Sequence, residues 1–481
     1  MFKLHYDVII VGAGLSGIGH AYWLKQKCPT KKFIVLESRD KIGGTWSLFN
    51  YPGIRSDSDM FTFGYRFQPW SDPKSLSSGE SIYNYLKETI DQHELEPYFK
   101  FNHRMVSANW SSVLKSWTLE VETPEGKQQI LCDFLSMCSG YYDYKKAHIP
   151  DFDGYDKFKG KIVIPQFWPK ELDYSDKKIA VIGSGATAVT IVPNMAKKGA
   201  AHVTMVQRSP TYIVNLPNRN KIFLRMKKVF PLKWAYRVTR IQNILLQMLS
   251  FRLSKSYPKW MKSKIMGLAT RQLPDDFPVE KHLNPTYNPW DQRLCVVPDG
   301  DLFKSIRNGK CSIETGTISN FTEDGIIMKS GNKVEADIIV VATGLKLQLL
   351  GGSQLSLNGE PVDVADLMVY KGMMISGLPN FTYAFGYTNS SWTLKVDLTA
   401  NFLCKMINFM DKNYYSVVVP NNENEVSEEN FLNLNSGYIE RAKKILPKQG
   451  SKRPWKVYQN YLMDMLSTRF GSVRNKVLKF H

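Results

Sequence analysis

Two glycine-rich turns in this chain have the residue types and spacing of phosphate-binding loops. The first, Gly12-Ala13-Gly14-Leu15-Ser16-Gly17, follows the β-branched run at residues 6–11 and passes into a helical pattern. Glycines let the backbone approach a pyrophosphate, which then rests on the unpaired N–H groups at the start of the following helix. The next apolar run ends at Glu37, where an acid can hydrogen-bond ribose hydroxyls. This arrangement predicts a dinucleotide site.

The second turn repeats this layout but ends in a residue of opposite charge. Gly183-Ser184-Gly185-Ala186-Thr187-Ala188 also follows a β-branched run, and Arg208 follows Gly183 by the same 25 positions that separate Glu37 from Gly12. An acid at this place repels a 2′-phosphate, whereas an arginine accepts one. We therefore expect FAD at the first turn and NADPH at the second.

Each turn needs a closing strand, and the runs at residues 133–140 and 336–344 have the required apolar composition. Because residues after 345 have no turn of their own, the second unit is predicted to be inserted within the first. We expect an α/β protein with two Rossmann-like dinucleotide-binding domains. Residues 1–155 begin the FAD domain, 156–344 form the NADPH domain with a helical insertion at about 212–285, and 345–481 complete the FAD domain and add C-terminal helices.

The chain is strongly basic, and one segment carries the imbalance. Its 63 Lys and Arg against 44 Asp and Glu give a net charge of +19. Residues 177–274 contain 19 Lys or Arg and no Asp or Glu, so the rest of the chain is neutral. Five of the 19 precede the insertion, where an acid-free surround suits the extra phosphate of NADPH, and the other 14 lie at residues 219–271.

The insertion interleaves basic and aromatic residues without strand-like alternation, so we expect helices. Helices of this composition bind anionic lipid surfaces, and a solvated flank over a substrate tunnel is the alternative. Nucleic acid is not expected as a partner, because no recognisable nucleic-acid-binding motif occurs. The segment comprises Arg219, Lys221, Arg225, Lys227, Lys228, Lys233, Arg237 and Arg240 with Phe223, Phe230, Trp234 and Tyr236, then Ile244-Leu245-Leu246, then Lys259, Trp260, Lys262 and Lys264.

The six cysteines have no CxxC pair and no regular spacing, so neither a disulfide framework nor a zinc site is expected. The lack of a close cysteine pair also argues against a flavin disulfide reductase, which shares paired nucleotide domains.

The apolar stretch at residues 8–19 contains three glycines and reads as a buried strand and turn rather than a signal peptide. No apolar run of about 18 residues occurs. We expect a cytoplasmic protein, and the basic insertion adds a peripheral location on the inner membrane face as the alternative.

Two further motifs identify a family. Residues 43–57 read GGTWSLFNYPGIRSD and fit the signature [AG]GxWxxxx[FY]P[GM]xxxD at every defined position, and residues 158–169 read FKGKIVIPQFWP. With the two glycine turns, these segments resemble the class B flavoprotein monooxygenases, which include Baeyer–Villiger and flavin-containing monooxygenases, and within them the ethionamide-activating branch. The second motif departs from the family pattern FxGxxxHxxxWP at one place, where Ile164 replaces a histidine that is thought to couple cofactor binding to domain movement.

The resemblance implies a set of cofactor-binding residues. The residues that face FAD are Gly12, Gly14, Ser16 and Gly17 at the pyrophosphate, Glu37 at the adenosine ribose, Val106 at the adenine through its backbone, and Gly44, Thr45, Trp46, Arg55, Ser56 and Asp57 toward the ring. The residues that face NADPH are Gly183, Ser184, Gly185, Ala186, Thr187 and Ala188 at the pyrophosphate, with Arg208 on the 2′-phosphate and Gln207 assisting.

The family also uses an active-site arginine, and residues 289–295 resemble the segment that carries it, which makes Arg293 the expected catalytic cation. A guanidinium keeps its charge when it is buried beside a flavin peroxide, and Asp57 is expected to orient it.

The activity that this resemblance implies is an NADPH-dependent monooxygenase that inserts one atom of O2 into a small lipophilic ketone or aldehyde through a flavin peroxide. The alternatives are oxygenation of a sulfur or nitrogen substrate by the same intermediate, or an uncoupled NADPH oxidase. A non-enzymatic alternative, a flavoprotein that only binds membranes, rests on the basic insertion alone.

Overall fold

The chain folds into two α/β units, one inserted within the other, in a computed structural model that describes residues 4–422, 426–432 and 437–481. The elements of the first part are β1 (Leu4–Val11), α1 (Leu15–Lys27), β2 (Phe33–Leu36), α2 (Thr45–Leu48), α3 (Met60–Phe63), α4 (Gly79–Gln92), β3 (Phe99–Lys100), β4 (Arg104–Ser111), β5 (Ser116–Thr123), β6 (Gly126–Met137) and β7 (Tyr142–Ala147).

The inserted part contains more helix than the first. Its elements are β8 (Lys161–Val163), β9 (Lys178–Ile182), α5 (Ala186–Lys197), β10 (His202–Gln207), β11 (Ile213–Leu216), α6 (Lys221–Val229), α7 (Leu232–Ser256), α8 (Pro258–Thr270), α9 (Val279–Leu283), β12 (Cys295–Pro298), α10 (Asp301–Arg307), β13 (Cys311–Thr315), β14 (Ile318–Thr322), β15 (Gly325–Met328), β16 (Lys333–Glu335) and β17 (Ile338–Val341).

The returning part completes the first unit and ends the chain. Its elements are β18 (Leu345–Leu347), β19 (Gln354–Leu357), β20 (Glu360–Val362), β21 (Val369–Tyr370), β22 (Met374–Ile375), β23 (Phe381–Tyr383), α11 (Trp392–Lys412), β24 (Val418–Pro420), β25 (Glu428–Asn430), α12 (Gly437–Ala442), β26 (Lys448–Gly450), α13 (Tyr461–Met465) and β27 (Leu478–Phe480).

Both sheets have the topology that the glycine turns predict. In the first unit, β1 pairs in parallel with β2 and with the closing strand β6, and the returning strand β23 adds to β6. In the second, the strand order within the described residues is β13-β10-β9-β17-β8, and every pair is parallel. Side chains from both faces of these strands are buried, which explains why the strands read as continuous apolar runs.

The two chain segments that connect the units pair with each other as strands. The chain leaves the first unit through β7 and returns through β18, and these strands are antiparallel, with Tyr142 opposite Leu347 and Ala147 opposite Leu345. The second unit is therefore inserted within the first, and the predicted two-domain α/β fold is confirmed.

The insertion is mostly helical, as expected, but it begins with a strand that was not expected. β11 pairs in parallel with β12, which lies beyond the helices. The short run Ile213–Leu216 carries no clear strand signal, because its partner is about 80 residues away along the chain and non-local pairing decides its conformation.

The insertion packs on the first unit, although the chain connects it to the second. Phe223, Ala235 and Tyr236 belong to the same buried cluster as α1 and α11. The Tyr236 hydroxyl donates to the Tyr65 carbonyl at 2.9 Å. The expectation that Phe223, Tyr236 and Arg240 lie on a basic-aromatic surface was therefore wrong, because all three are buried.

Arg240 is the firmest of these attachments. Its Nη1 donates to the carbonyls of Phe61, Thr62 and Gly64 at 2.8, 3.2 and 2.6 Å, and the residue is 5% exposed. These carbonyls lie at the end of α3, where a helix leaves acceptors unsatisfied and its dipole favours a cation.

Replacing Arg240 with methionine should lower the free energy of unfolding by about 2–4 kcal/mol, because the carbonyls at the end of α3 lose their donor while they stay buried. Arg237→Met is the matched control one turn earlier, and it should have little effect because Arg237 is exposed. Equilibrium urea unfolding of both variants measures the difference. Equal losses for the two variants would contradict this account.

Candidate active site

The first glycine of each turn lies against the carbonyl that follows its closing strand. A Cβ on Gly12 would lie 2.6 Å from the Cys138 oxygen, and a Cβ on Gly183 would lie 2.4 Å from the Ala342 oxygen. Both glycines have positive φ, +107° and +140°. Any side chain is excluded at these positions, so the turn can fold tightly over the strand ends.

The two turns differ at the third small residue. A Cβ on Gly17 would lie 1.8 Å from the Gly12 oxygen, so α1 and β1 can approach only because this residue is glycine. The second turn has Ala188 at the same place, and its side chain is fully buried. The first turn therefore requires glycine at this place, whereas the second accommodates a methyl group.

A cavity of about 840 Å³ begins at the first turn and runs through the first unit. This volume lies within the range of about 300–1,000 Å³ that is usual for small-molecule and cofactor sites. Its lining includes most of the residues predicted to bind the first cofactor, namely Gly12, Gly14, Ser16, Glu37, Gly44, Thr45, Trp46, Ser56 and Asp57.

Glu37 is fixed in this cavity by backbone donors. Its carboxylate accepts hydrogen bonds from the N–H groups of Ala13 at 2.8 Å and Arg39 at 2.9 Å. The residue is 6% exposed and lines the cavity. Arg39 in turn donates to the Gly44 carbonyl at 3.2 Å and to the Ser47 hydroxyl at 3.0 Å, which ties the strand tip to the predicted ring-end segment.

The residues present fit a bound dinucleotide. The Ser139 hydroxyl lines the larger cavity, is buried, and has no hydrogen-bond partner among the described residues, as expected for a group that a ligand completes. The Ser16 hydroxyl already accepts a hydrogen bond from the Trp392 indole at 3.0 Å. Trp392 stacks on Tyr141 and also lines the cavity, so the returning part of the chain supplies one of its walls.

A smaller cavity of about 170 Å³ lies between the two units. Ala186 and Thr187 from the second turn line it, and so does Arg55. Thr45, Trp46, Asp57, Tyr142 and Arg293 line both cavities and form the wall that separates them.

Asp57 and Arg293 meet on this shared wall. Nε of Arg293 lies 3.3 Å from one carboxylate oxygen of Asp57, and Nη2 lies 3.4 Å from the other. Asp57 belongs to the first unit, whereas Arg293 precedes β12 of the second. The sequence predicted both residues for one site, and the structure brings them together.

Two side-chain contacts at the seam between the two units were not anticipated. Arg55 is 9% exposed in its side chain, and its Nη1 lies 3.2 Å from the Asp301 carboxylate of the second unit. A hydrogen bond joins Tyr51 to Thr187, and burial raises the pKa of Tyr51 to about 12, so the phenol stays neutral. Tyr51 lies inside the recognised signature, but its partner could not be read from spacing because it is on another unit.

Gly53 allows a further close approach between the two units. A Cβ on this residue would lie 2.1 Å from the side-chain nitrogen of Asn194 on α5, and φ of Gly53 is +79°. The glycine therefore allows the signature segment to pass directly over the helix of the second unit.

Several predicted residues lie outside both cavities. Val106 is half-buried at an irregularity in β4, next to Met105, which does line the larger cavity. Gln207 is 1% exposed and its Nε2 donates to the His282 carbonyl at 2.7 Å and to the Thr315 hydroxyl at 2.9 Å, so the amide points inward. Arg208 is exposed at the tip of β10.

The remaining predicted residues belong to the turns themselves. Gly183 and Ser184 are half-buried and Gly185 is exposed, with no atom within 4 Å of the position of an added Cβ. The start of α5 is therefore open to a phosphate. Gly17 and Ala188 lie behind the cavity surfaces, whereas Arg55 lines the smaller cavity and also contacts Asp301.

Ile164, which occupies the histidine place of the second motif, lines the smaller cavity. Two residues later, Gln166 is 5% exposed, and its Nε2 donates to the Asp143 carbonyl at 2.8 Å. The Oε1 of Gln166 has no partner among the described residues. Gln166 was not singled out from the sequence, because a lone glutamine carries no chemical signature.

The sequence matches the family described as "Flavin-binding monooxygenase-like" over residues 6–384. It is 49% identical over 477 residues to "FAD-containing monooxygenase EthA" of Mycolicibacterium smegmatis, an alignment that covers 99% of this chain and 97% of the relative.

Solved structures share the fold at lower identity. "Oxidized steroid monooxygenase bound to NADP" is 20% identical with a TM-score of 0.78, and the match covers 99% of both chains. "Open crystal structure of cyclohexanone monooxygenase" is 18% identical with a TM-score of 0.76 and covers 100% of both chains. At this level of identity these matches bear on the fold alone.

Gly17→Ala should lower the amount of flavin that the purified protein retains by at least roughly tenfold, because the added Cβ forces α1 away from β1 and opens the turn. The absorbance of bound flavin after gel filtration measures this loss. Gly267→Ala in α8 is the matched control, since no atom lies within 4 Å of its added Cβ, and it should retain flavin like the parent. Full flavin retention by Gly17→Ala would refute the packing argument.

Proposed function

We propose that this chain, which belongs to the flavin-binding monooxygenase-like family, uses FAD and NADPH to insert one atom of O2 into a small lipophilic ketone or aldehyde. The family membership confirms the resemblance read from the motifs, and with it a flavin-dependent monooxygenase. The observation that carries the finer proposal is the Asp57–Arg293 pair on the wall shared by the two cavities. In the overall reaction one oxygen atom enters the product as an ester, and the other leaves as water while NADPH is oxidised.

The cofactor assignments follow the two turns. FAD occupies the larger cavity, with its pyrophosphate at the start of α1 and its adenosine ribose on Glu37. NADPH binds across the start of α5 with its 2′-phosphate on the exposed Arg208. The relative EthA is named as FAD-containing and the steroid monooxygenase structure as bound to NADP, which supports both assignments.

The chain's own contribution to the chemistry is charge and position. Bound flavin, once reduced, supplies the activation of O2 that side chains cannot provide. Arg293 presents a permanent positive charge to the oxygen anion that develops at the reacting carbonyl, because a guanidinium keeps its proton where a lysine loses it. Asp57 holds Nε and Nη2 of Arg293, which fixes the direction of the remaining N–H groups. The aromatic walls Trp46, Phe63 and Trp392 exclude water.

Oxygenation at sulfur or nitrogen is the second candidate, since the bound flavin would supply the activated oxygen for both reactions. A panel of ketones and thioethers, assayed for NADPH oxidation under O2 with product identification by mass spectrometry, separates the two. Esters from the ketones support the first proposal, and sulfoxides alone favour the second. Hydrogen peroxide as the sole product with every compound would overturn both.

Arg293→Lys should reduce oxygenated product at least about 100-fold, because the bidentate geometry beside Asp57 and the fixed charge are lost together. NADPH oxidation should continue and end in hydrogen peroxide, which a peroxidase-coupled assay measures alongside product. Arg307→Lys, at an exposed arginine of α10, is the matched control and should behave like the parent. Unchanged product yield in Arg293→Lys would remove this residue from the mechanism.

Arg208→Leu should raise the KM for NADPH by roughly tenfold or more and leave the KM for NADH nearly unchanged, because only the 2′-phosphate loses a partner. Steady-state kinetics with both cofactors measure the ratio. Lys198→Leu, which removes an exposed cation nearby in sequence, serves as the control. A parallel rise in both KM values would show that Arg208 acts on the fold rather than on the phosphate.

We further propose a reducing, cytoplasmic setting, with the basic insertion at the anionic inner face of a membrane. All six cysteines lie within the described residues, where each is buried and unpaired. Within residues 4–422, 426–432 and 437–481, no helix combines the length and apolarity needed to cross a bilayer. Contact with lipid would thus be peripheral, through a surface rather than a span.

A further inference from the structure

The outward face of α7 is apolar along most of its length. Trp234, Val238, Ile241, Leu245 and Leu249 follow one another at steps of four, three, four and four residues, which places them on one side of the helix. They are 58, 40, 59, 50 and 53% exposed. We call these five residues the α7 stripe. A surface helix of a globular protein ordinarily turns polar residues outward, so the α7 stripe needs an explanation.

The stripe is held outward by the contacts on the other side of α7. Ala235, Tyr236, Thr239, Arg240 and Ile244 are buried, and the hydrogen bonds of Arg240 and Tyr236 fix the helix on the first unit. The helix cannot roll to hide the α7 stripe without breaking these bonds. The apolar face is thus a stable property of the fold.

The helices that contact α7 also carry exposed apolar residues. Val229 and Phe230, at the end of α6, are 75 and 47% exposed, and Trp260 and Leu268 on α8 are 51 and 58% exposed. We use the term docking face for the α7 stripe with these four residues.

Cations and aromatic rings occur together around the docking face. The Arg237 guanidinium lies 5.6 Å from the Trp234 ring centre, and the Lys264 ammonium lies 5.8 Å from that of Trp260. Residues 210–274 contain 14 Lys or Arg and no Asp or Glu. An apolar stripe on a segment that carries an excess of positive charge complements a lipid bilayer, which is apolar inside and anionic at its headgroups.

We infer that the docking face binds the surface of an anionic lipid bilayer, with the α7 stripe at the boundary of headgroups and acyl chains and the cations at the lipid phosphates. A second copy of the chain is a poorer partner, because a self-complementary contact would place two segments with an excess of positive charge against each other. The inference sharpens the membrane location proposed above, and it is independent of the proposed reaction because binding requires no turnover.

The inner side of α7 connects this face to the larger cavity. Asn243 and Gln247 donate to the Asp59 carboxylate at 2.8 and 2.6 Å, and the Oε1 of Gln247 accepts from the Ser390 hydroxyl at 2.8 Å. Ser390 lines the larger cavity. One helix diameter, about 10 Å, thus separates the bilayer from the cavity wall, which suits substrates that dissolve in the membrane.

Vesicle co-sedimentation of the full-length, flavin-loaded protein tests the docking face. The parent should bind phosphatidylcholine vesicles that contain phosphatidylglycerol, and binding should weaken markedly between about 50 and 500 mM NaCl. The triple variant Trp234→Ser, Ile241→Ser, Leu245→Ser should bind at least roughly tenfold more weakly. The matched control Val113→Ser, Leu114→Ser, Tyr414→Ser removes residues that are 91, 63 and 95% exposed elsewhere and should bind like the parent.

Three results would overturn the inference: no binding of the parent to anionic vesicles at low salt, equal loss in the control variant, or undiminished binding of the triple variant. Sedimentation velocity without lipid adds a fourth. A parent dimer that the triple variant converts to monomers would assign the docking face to a second copy of the chain. Flavin content and activity toward a water-soluble substrate, which should match the parent, show that the triple variant is folded and that a binding defect is separate from the reaction.

Discussion

Two ion pairs that cross between the nucleotide units hold the site together. Asp57 meets Arg293 on the wall between the cavities, and Arg55 meets Asp301 deeper in the seam. The second pair is largely shielded from water, so removal of either partner would leave a buried charge at a cost of several kcal/mol. Each unit contributes one carboxylate, Asp57 or Asp301, and each carboxylate is paired with an arginine of the other unit. The arrangement of the two cavities relative to each other therefore depends on a few residues of a single signature segment.

Much of the fold and the first cofactor site follows from local sequence, because the physical requirements are themselves local. Where the backbone must pass within contact distance of a carbonyl oxygen, only glycine fits. Gly12 and Gly17 are such positions, so their role in the turn could be predicted from residue type alone. The acid at the tip of β2 is fixed by N–H groups of the same turn and the next residues, so the position of Glu37 could also be predicted. The parallel strands can be predicted because they are buried on both faces and therefore form continuous apolar runs in the sequence.

The insertion could not be predicted in the same detail, since its orientation depends on distant partners. Its 14 cations look alike in sequence, yet Arg240 turns inward because the carbonyls at the end of α3 lie there, while Arg237 one turn earlier is exposed. β11 forms only because β12 lies beside it. Gln207 stands next to the exposed Arg208, but its amide is engaged by Thr315 and His282 from strands and helices further along.

Arg293 stands in the connector where the insertion, anchored to the first unit through Arg240, rejoins the second unit at β12. Its guanidinium belongs to neither sheet, so its place is set by both units at once. A rotation that separated β12 from the signature segment would withdraw the positive charge from the shared wall with no change in any residue. The position of this charge is therefore tied to one arrangement of the units, and a ligand that binds that arrangement more tightly than another also stabilises the Asp57–Arg293 contact.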